Sequence, residues 1–262
     1  NKQGATVKGN SMRLFGAAPA TPRSSRRELL RIEGRPVSIT IRLNRRARRL
    51  IVKVHPATGE VTVVAPSQRA LNHALDFARS ESSWIARRLA EVPAPVNFGL
   101  GACIPLRGEE HIVEAGDAGP APVWVDECAD RRVIRVSGRN EHASRRLLDY
   151  LKREARKTLT ARCQELSKRI GLAPKRITVR DTESRWGSCS ADRALSFSWR
   201  LILAPSFVLD YVVAHEVAHM RHMNHGPRFW GLVRELVGDV DAPQAWLSTN
   251  GPLLHRYAPR GE

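Results

Sequence analysis

Two histidines four residues apart, with an acid directly after the first, form His215-Glu216-Val217-Ala218-His219, an HExxH pattern. On a helix, residues at that spacing stand one above the other. Both imidazoles then reach a single zinc ion at about 2.0–2.1 Å from each nitrogen. Glu216 projects beside them, towards an open coordination position. This suits hydrolysis, because zinc lowers the pKa of a water to about 7 and a neighbouring carboxylate takes the proton as the water attacks.

A catalytic zinc needs a third protein ligand, and His222 and His225 follow closely. If the helix ran on, His222 would share the face of the other two but sit about 10.5 Å from His215 along the axis, too far for one tetrahedral ion. Asn224-His225-Gly226-Pro227 reads instead as a helix stop and reversal that returns His225 to the site. The HExxHx5H spacing leaves a fourth position for water. A carboxylate from Glu235 or Asp239 is the competing third ligand, and a buried, hydrogen-bonded histidine cluster without metal is the competing reading of the whole motif.

Further residues gather around this motif: Ser184-Arg-Trp-Gly-Ser-Cys-Ser190, Trp199-Arg-Leu201, Pro205, Asp210-Tyr211, Asn224-His225 and Phe229-Trp230. Together they resemble the YgjP-like metallopeptidase family, a zincin group near the SprT-like peptidases. The basic strands near Arg45–Val54, Trp84-Ile85 and Leu106-Arg-Gly108 extend the likeness over residues 35–257 or so. The resemblance implies a Zn2+ site from His215, His219 and His225, with Glu216 as general base. It leaves the substrate open, since family members carry peptidase, metal-dependent hydrolase and UTP pyrophosphatase labels. The chain departs from the family pattern in its Arg-rich N-terminal extension.

The RWGSC stretch precedes a strand and the metal helix, which would make it an edge where a peptide adds as a further strand. Arg185 would then bind an anionic substrate group or steady the charge on the attacked oxygen. Alternatively, Arg185 and Trp186 brace the metal helix by packing and a salt bridge. Cys189 reads as a small core residue rather than a nucleophile. Tyr211 and His222 are candidate donors behind the ligands.

These side chains need elements to position them. Residues 206–219 form an apolar helix opened by Pro205. Over residues 141–170, Leu148, Leu151, Ala155, Leu159, Cys163, Leu166 and Ile170 recur at steps of three and four, which predicts a long amphipathic helix stopped by Gly171. Upstream, alternation predicts three strands over residues 37–43, 49–54 and 61–64 as an antiparallel meander, then one helix over 68–92. Short strands follow near 104–106, 111–113, 123–125 and 133–136, and later at 176–180 and 194–198. The expected fold is α+β: a flexible basic tail over 1–28, an N-terminal β-rich part over 29–139, and packed on it a C-terminal zincin-like helical/β catalytic part over 140–262.

The chain has 262 residues, 42% hydrophobic and 26% charged, an ordinary globular profile. The apolar region 201–220 is broken by Pro205, Asp210, His215, Glu216 and His219, which argues against a membrane span. No apolar block precedes a cleavage site, and Cys103, Cys128, Cys163 and Cys189 form no CxxC pair, so a reducing cytoplasm is expected. Of the net charge of +17, +12 falls in residues 1–100. Eleven basic residues between Arg23 and Lys53 face only Glu28 and Glu33, a field that attracts nucleic acid, nucleotides or acidic protein, or else a solvated basic face. The expectation is a zinc metallopeptidase acting on polypeptide. The alternatives are a UTP-type nucleotide pyrophosphohydrolase and a nucleic-acid-associated protein with a secondary metal site.

Overall fold

Leu30, Ile32, Ile39 and Ile41 alternate with polar residues along two strands, β1 (Ser25–Ile32) and β2 (Arg35–Leu43), which pair antiparallel with Ile32 opposite Arg35. Glu33 and Gly34 both take positive φ, 46° and 81°. Such a two-residue turn matches the twist of the flanking strands and fixes their register. The computed structural model describes residues 25–258 apart from 118, 120, 129, 130, 183 and 184. Most of the tail expected over 1–28 therefore lies outside the described residues, while Ser25 to Glu28 belong to β1.

β3 (Ile51–Val54) and β4 (Val61–Ala65) complete this sheet in the order β1-β2-β4-β3. β2 and β4 run parallel, which corrects the expected meander. The arginine-rich connection between β2 and β3 does not turn tightly. It crosses the end of β4, where the Asn44 N–H donates to the Ala65 carbonyl at 2.8 Å. One face of the sheet buries Leu30, Ile39, Ile41, Val61 and Val63 against Ala74, Ala78 and Ile85. The single helix expected over 68–92 is instead three: α1 (Gln68–Asn72), α2 (Ala74–Ser80) and α3 (Ser82–Ala90). His73 and Glu81 (ψ 1° and 11°) bond back to carbonyls three or four residues earlier, and such tightened turns bend the segment as it crosses the sheet.

A short parallel pair joins β5 (Val96–Asn97) to β13 (Tyr257–Ala258), near the other end of the described chain. β6 (Cys103–Leu106), β7 (Glu109–Gly116), β8 (Val123–Cys128) and β9 (Arg131–Ser137) form a second sheet, ordered β6-β7-β9-β8. Its Arg107-Gly108 turn docks by backbone bonds, Arg107 N–H to Ile202 O at 2.7 Å and Gly108 N–H to Leu203 O at 3.2 Å.

The long helix, α4 (Ala143–Arg169), buries Leu147, Leu151, Ala155, Leu159, Cys163 and Leu166 along one side. A third sheet contains β10 (Arg176–Arg180), β11 (Gly187–Cys189) and β12 (Ala194–Ser198) in the order β10-β12-β11. A 3-10 turn at Trp199–Leu203 leads into α5 (Ser206–His219), followed by α6 (Pro227–Val237) and α7 (Asp241–Asn250). From Val208 to His219 only Asp210 on α5 escapes full burial, the signature of a helix enclosed on every side. One apolar cluster draws residues from Phe98 to Leu254 and includes β6–β9, α4 and α5, whereas a separate cluster draws from Leu30 to Ile85. The structure is thus mixed α+β, and none of its described helices is long and apolar enough to cross a membrane.

Leu151 is fully enclosed on α4. Leu151→Ala is expected to lower unfolding free energy by about 2–5 kcal/mol through lost transfer energy and a residual cavity, read from urea denaturation followed by far-UV circular dichroism.

Candidate metal centre

α5 stops as soon as its second histidine is in place. The Met220 and Arg221 N–H groups bond back to Val217 and Ala218 over three residues, a tightened last turn that closes the helix. The chain reverses through Asn224, whose carbonyl accepts from the Gly226 N–H at 2.8 Å, and restarts at Pro227, a residue suited to a helix's first turn. The reversal returns His225 to the two helical histidines, with ring centroids 5.0 Å from His215 and 4.7 Å from His219.

One ligand-capable atom from each of His215, His219 and His225 lies within 4.8 Å of the others. The Nε2 atoms of His215 and His225 are 3.1 Å apart. Two nitrogens on one tetrahedral zinc lie roughly 3.3 Å apart given the usual bond lengths, so the pair stands close to what a shared ion requires. Burial holds His215 down to about 2, with its two imidazole neighbours adding to the shift, and burial lowers His219 and His225 as well. The rings are therefore neutral near pH 7, with lone pairs available to a cation. Phe229 packs against all three rings at 4.5–4.8 Å.

His222 enters through its backbone. Its carbonyl lies 3.1 Å from His219 Nδ1, which donates to it and leaves Nε2 facing the other imidazoles. Among the described residues, the metal-capable grouping comprises the three histidines, and Glu235 and Asp239 stand outside it. The Tyr211 ring is 6.0 Å from that of His215.

Glu216 is 1% exposed, and burial raises its carboxyl to about 8 against the opposing pull of the Arg185 cation. Gly187 of β11 lies directly against it. A Cβ at Gly187 would fall 2.6 Å from Glu216 Cγ and 2.7 Å from Oε1, so no other residue fits without displacing the acid or the strand. Sequence reasoning singled out the RWGSC run but not its glycine. The adjacent Trp186 is buried against the His255 ring at 5.3 Å, and His255 in turn meets His55 edge-on at 5.3 Å. Cys189 is half-buried, and burial pushes its thiol to about 12, far from a thiolate nucleophile. Beside His225 a pocket of about 530 Å³ is lined by Trp230, Gly231, Arg234, Asp241 and Gln244.

Two outcomes test this geometry. Gly187→Ala is expected to destabilise the fold by about 1–3 kcal/mol, as overpacking does, and to shift the ionisation of Glu216. Glu216 holds its proton more tightly folded, at about 8, than at the ordinary 4.5. The stability it contributes in chelator-treated protein is complete below about pH 4.5 and lost as pH rises towards 8. The stability difference between wild type and Glu216→Gln should therefore fall across that window. The histidine shifts act oppositely, being lost as pH falls below 6.5, and cancel in the difference. Urea midpoints at several pH values measure it, and a flat difference would contradict the buried, protonated acid.

The chain matches the family described as YgjP-like, metallopeptidase domain over residues 48–250, more than three-quarters of its length. No curated protein and no solved structure matches it. The family match fits a metallohydrolase and implies a metal ion, for which the three imidazoles form a suitable donor set. Three converging neutral histidines, a buried acid beside them and this match together place the chain in the YgjP-like metallopeptidase-domain family.

Proposed function

We propose that the protein is a zinc metallopeptidase, with His215, His219 and His225 as ligands, Glu216 as general base and Arg185 as the cation that steadies charge on the attacked carbonyl oxygen. The reading is carried by the convergence of three neutral imidazoles next to a buried carboxyl that lies against an open strand edge. Donor chemistry favours zinc, since an all-imidazole set with one position left open is a common catalytic zinc arrangement. A bound zinc would supply Lewis acidity, lowering the pKa of a water and polarising the scissile carbonyl. Glu216, ionised when a dication beside it offsets its burial, accepts the proton of the attacking water and passes it to the leaving amine.

β11 favours a peptide over a nucleotide. Trp186 O accepts from Ser198 N–H at 2.9 Å, and Ser190 N–H donates to Ala194 O at 3.0 Å. Backbone groups alternate in direction along an antiparallel strand, so those of Gly187 and Cys189 point away from β12, towards an edge with no other strand among the described residues. An extended polypeptide can pair with that edge alongside Glu216, with main-chain bonds giving affinity and side-chain pockets giving preference. The pocket beside His225 is placed to take one substrate side chain. The sequence also lacks a glycine-rich loop to cradle a triphosphate.

The test compares zinc-loaded wild type with Glu216→Gln on an unstructured polypeptide and on nucleoside triphosphates. Polypeptide cleavage by the wild type is expected, with turnover reduced by about 10²–10⁴-fold in the variant, the usual contribution of a positioned base, and zinc content unchanged by elemental analysis. Triphosphate hydrolysis without polypeptide cleavage would replace this reading with the pyrophosphohydrolase. Undiminished cleavage by Glu216→Gln would remove the assigned base.

A further inference from the structure

The sheet β1-β2-β4-β3 has two unlike faces. One is closed by α1–α3, and residues of opposite parity turn outwards, among them Arg27, Arg31, Arg42 and Lys53, all exposed. Register sets them across neighbouring strands: Arg27 stands opposite Thr40, Thr40 beside Thr62, and Thr62 opposite Lys53, while Arg42 lies beside Val64. Cations are thus spread over the width of the sheet, with part-exposed Thr62 and buried Thr40, whose hydroxyl donates to Glu60 at 3.2 Å, between them.

The rim continues the same charge. Asn44–Leu50 crosses the end of β4 and carries exposed Arg45, Arg46, Arg48 and Arg49. It is an ordered turn: the Arg46 N–H donates to Asn44 Oδ1 at 3.0 Å and the Ala47 N–H to Asn44 O at 2.9 Å. Acid is scarce. From Arg26 to Lys53 there are ten basic residues against Glu28 and Glu33. Glu28 pairs with Arg26, and Glu60 reaches Arg42 at 3.8 Å. No ion pair is made by Arg45, Arg46, Arg48, Arg49 or Lys53 among the described residues. The β1–β2 hairpin and most of this rim precede residue 48, where the family match begins.

We propose that the outer face of this sheet and its Asn44–Leu50 rim dock the phosphate backbone of nucleic acid. Seven of the eight cations on this face and rim are arginines, whose planar fork meets phosphate oxygens bidentately, and a spread of fixed cations suits a repeating polyanion better than one compact anion. A bilayer surface fits less well. It rewards a continuous apolar face, and Leu29 is the one large apolar side chain standing well exposed here among the described residues. Contacts of this kind read no bases, so the binding is sequence-tolerant.

The experiment is fluorescence anisotropy of a labelled DNA duplex of about 20 base pairs titrated with the full chain. Binding is expected at low salt, and four phosphate contacts would weaken it on the order of 100-fold between 50 and 200 mM salt. Replacing Arg45, Arg46, Arg48 and Arg49 by Ser should weaken binding at least about tenfold, as should Arg42→Ser with Lys53→Ser. A charge-matched control, serine at the exposed Arg139, Arg145, Arg156 and Lys157, should stay close to wild type. Thermal melts verify folding, and if the rim variant unfolds, the sheet-face pair decides. No binding at low salt, equal losses in control and test variants, or binding to anionic-lipid vesicles but not to duplex would each overturn the proposal.

Discussion

Burying a carboxyl and two imidazoles inside an otherwise apolar helix is the demand around which the rest of the molecule is arranged. Water no longer solvates these groups, so each must be neutral or matched by a designed neighbour. His215 and His219 answer by staying neutral, and His219 also donates to a carbonyl of the following turn. Glu216 answers by holding its proton, with a cation near enough to moderate the shift. The enclosing shell is correspondingly complete: α4 on one side, α6 and α7 on others, and the bare backbone of Gly187 across the acid. The absence of a side chain there is a packing condition set by an acid far away in sequence.

How much of this was legible beforehand depended on whether the relevant interaction was local. The span of α4 was readable because its apolar residues recur at helical steps, although Leu147, not Leu148, begins the fully buried row. The reversal at Asn224–Pro227 was readable from residue types that end and begin helices, and it does bring His225 to the other two rings. Strand order was not readable. Parallel pairing of β2 with β4 depends on where the Asn44–Leu50 connection travels, which alternation cannot encode. β1 escaped notice because only Leu30 and Ile32 of its residues are buried and the strand is otherwise largely charged. The two-residue strands β5 and β13 are too short to show any period. Gly187 stood in a conspicuous motif, yet its reason is a contact with Glu216 visible only in three dimensions.

The two apolar clusters divide the labour. The larger cluster surrounds the candidate metal centre, and the second sheet is tied to it by the backbone docking of the Arg107-Gly108 turn on Ile202 and Leu203. The smaller cluster supports an outward basic face and has no part in the metal-capable grouping. They meet where His55, at the end of β3, touches His255, which lies on Trp186 beside the strand facing Glu216. A path of rings thus runs from the charged sheet to the wall of the candidate cleft.

That wall has a temporal aspect. Trp186 rests on His255, and β5 finds its partner in β13, so residues synthesised after all three histidines complete a surface begun much earlier in the chain. While the polypeptide is still emerging from the ribosome, the HExxH helix can be made but its flanking tryptophan lacks its support and the connector lacks its pairing strand. The nascent chain therefore carries the HExxH motif before it carries a finished enclosure for it.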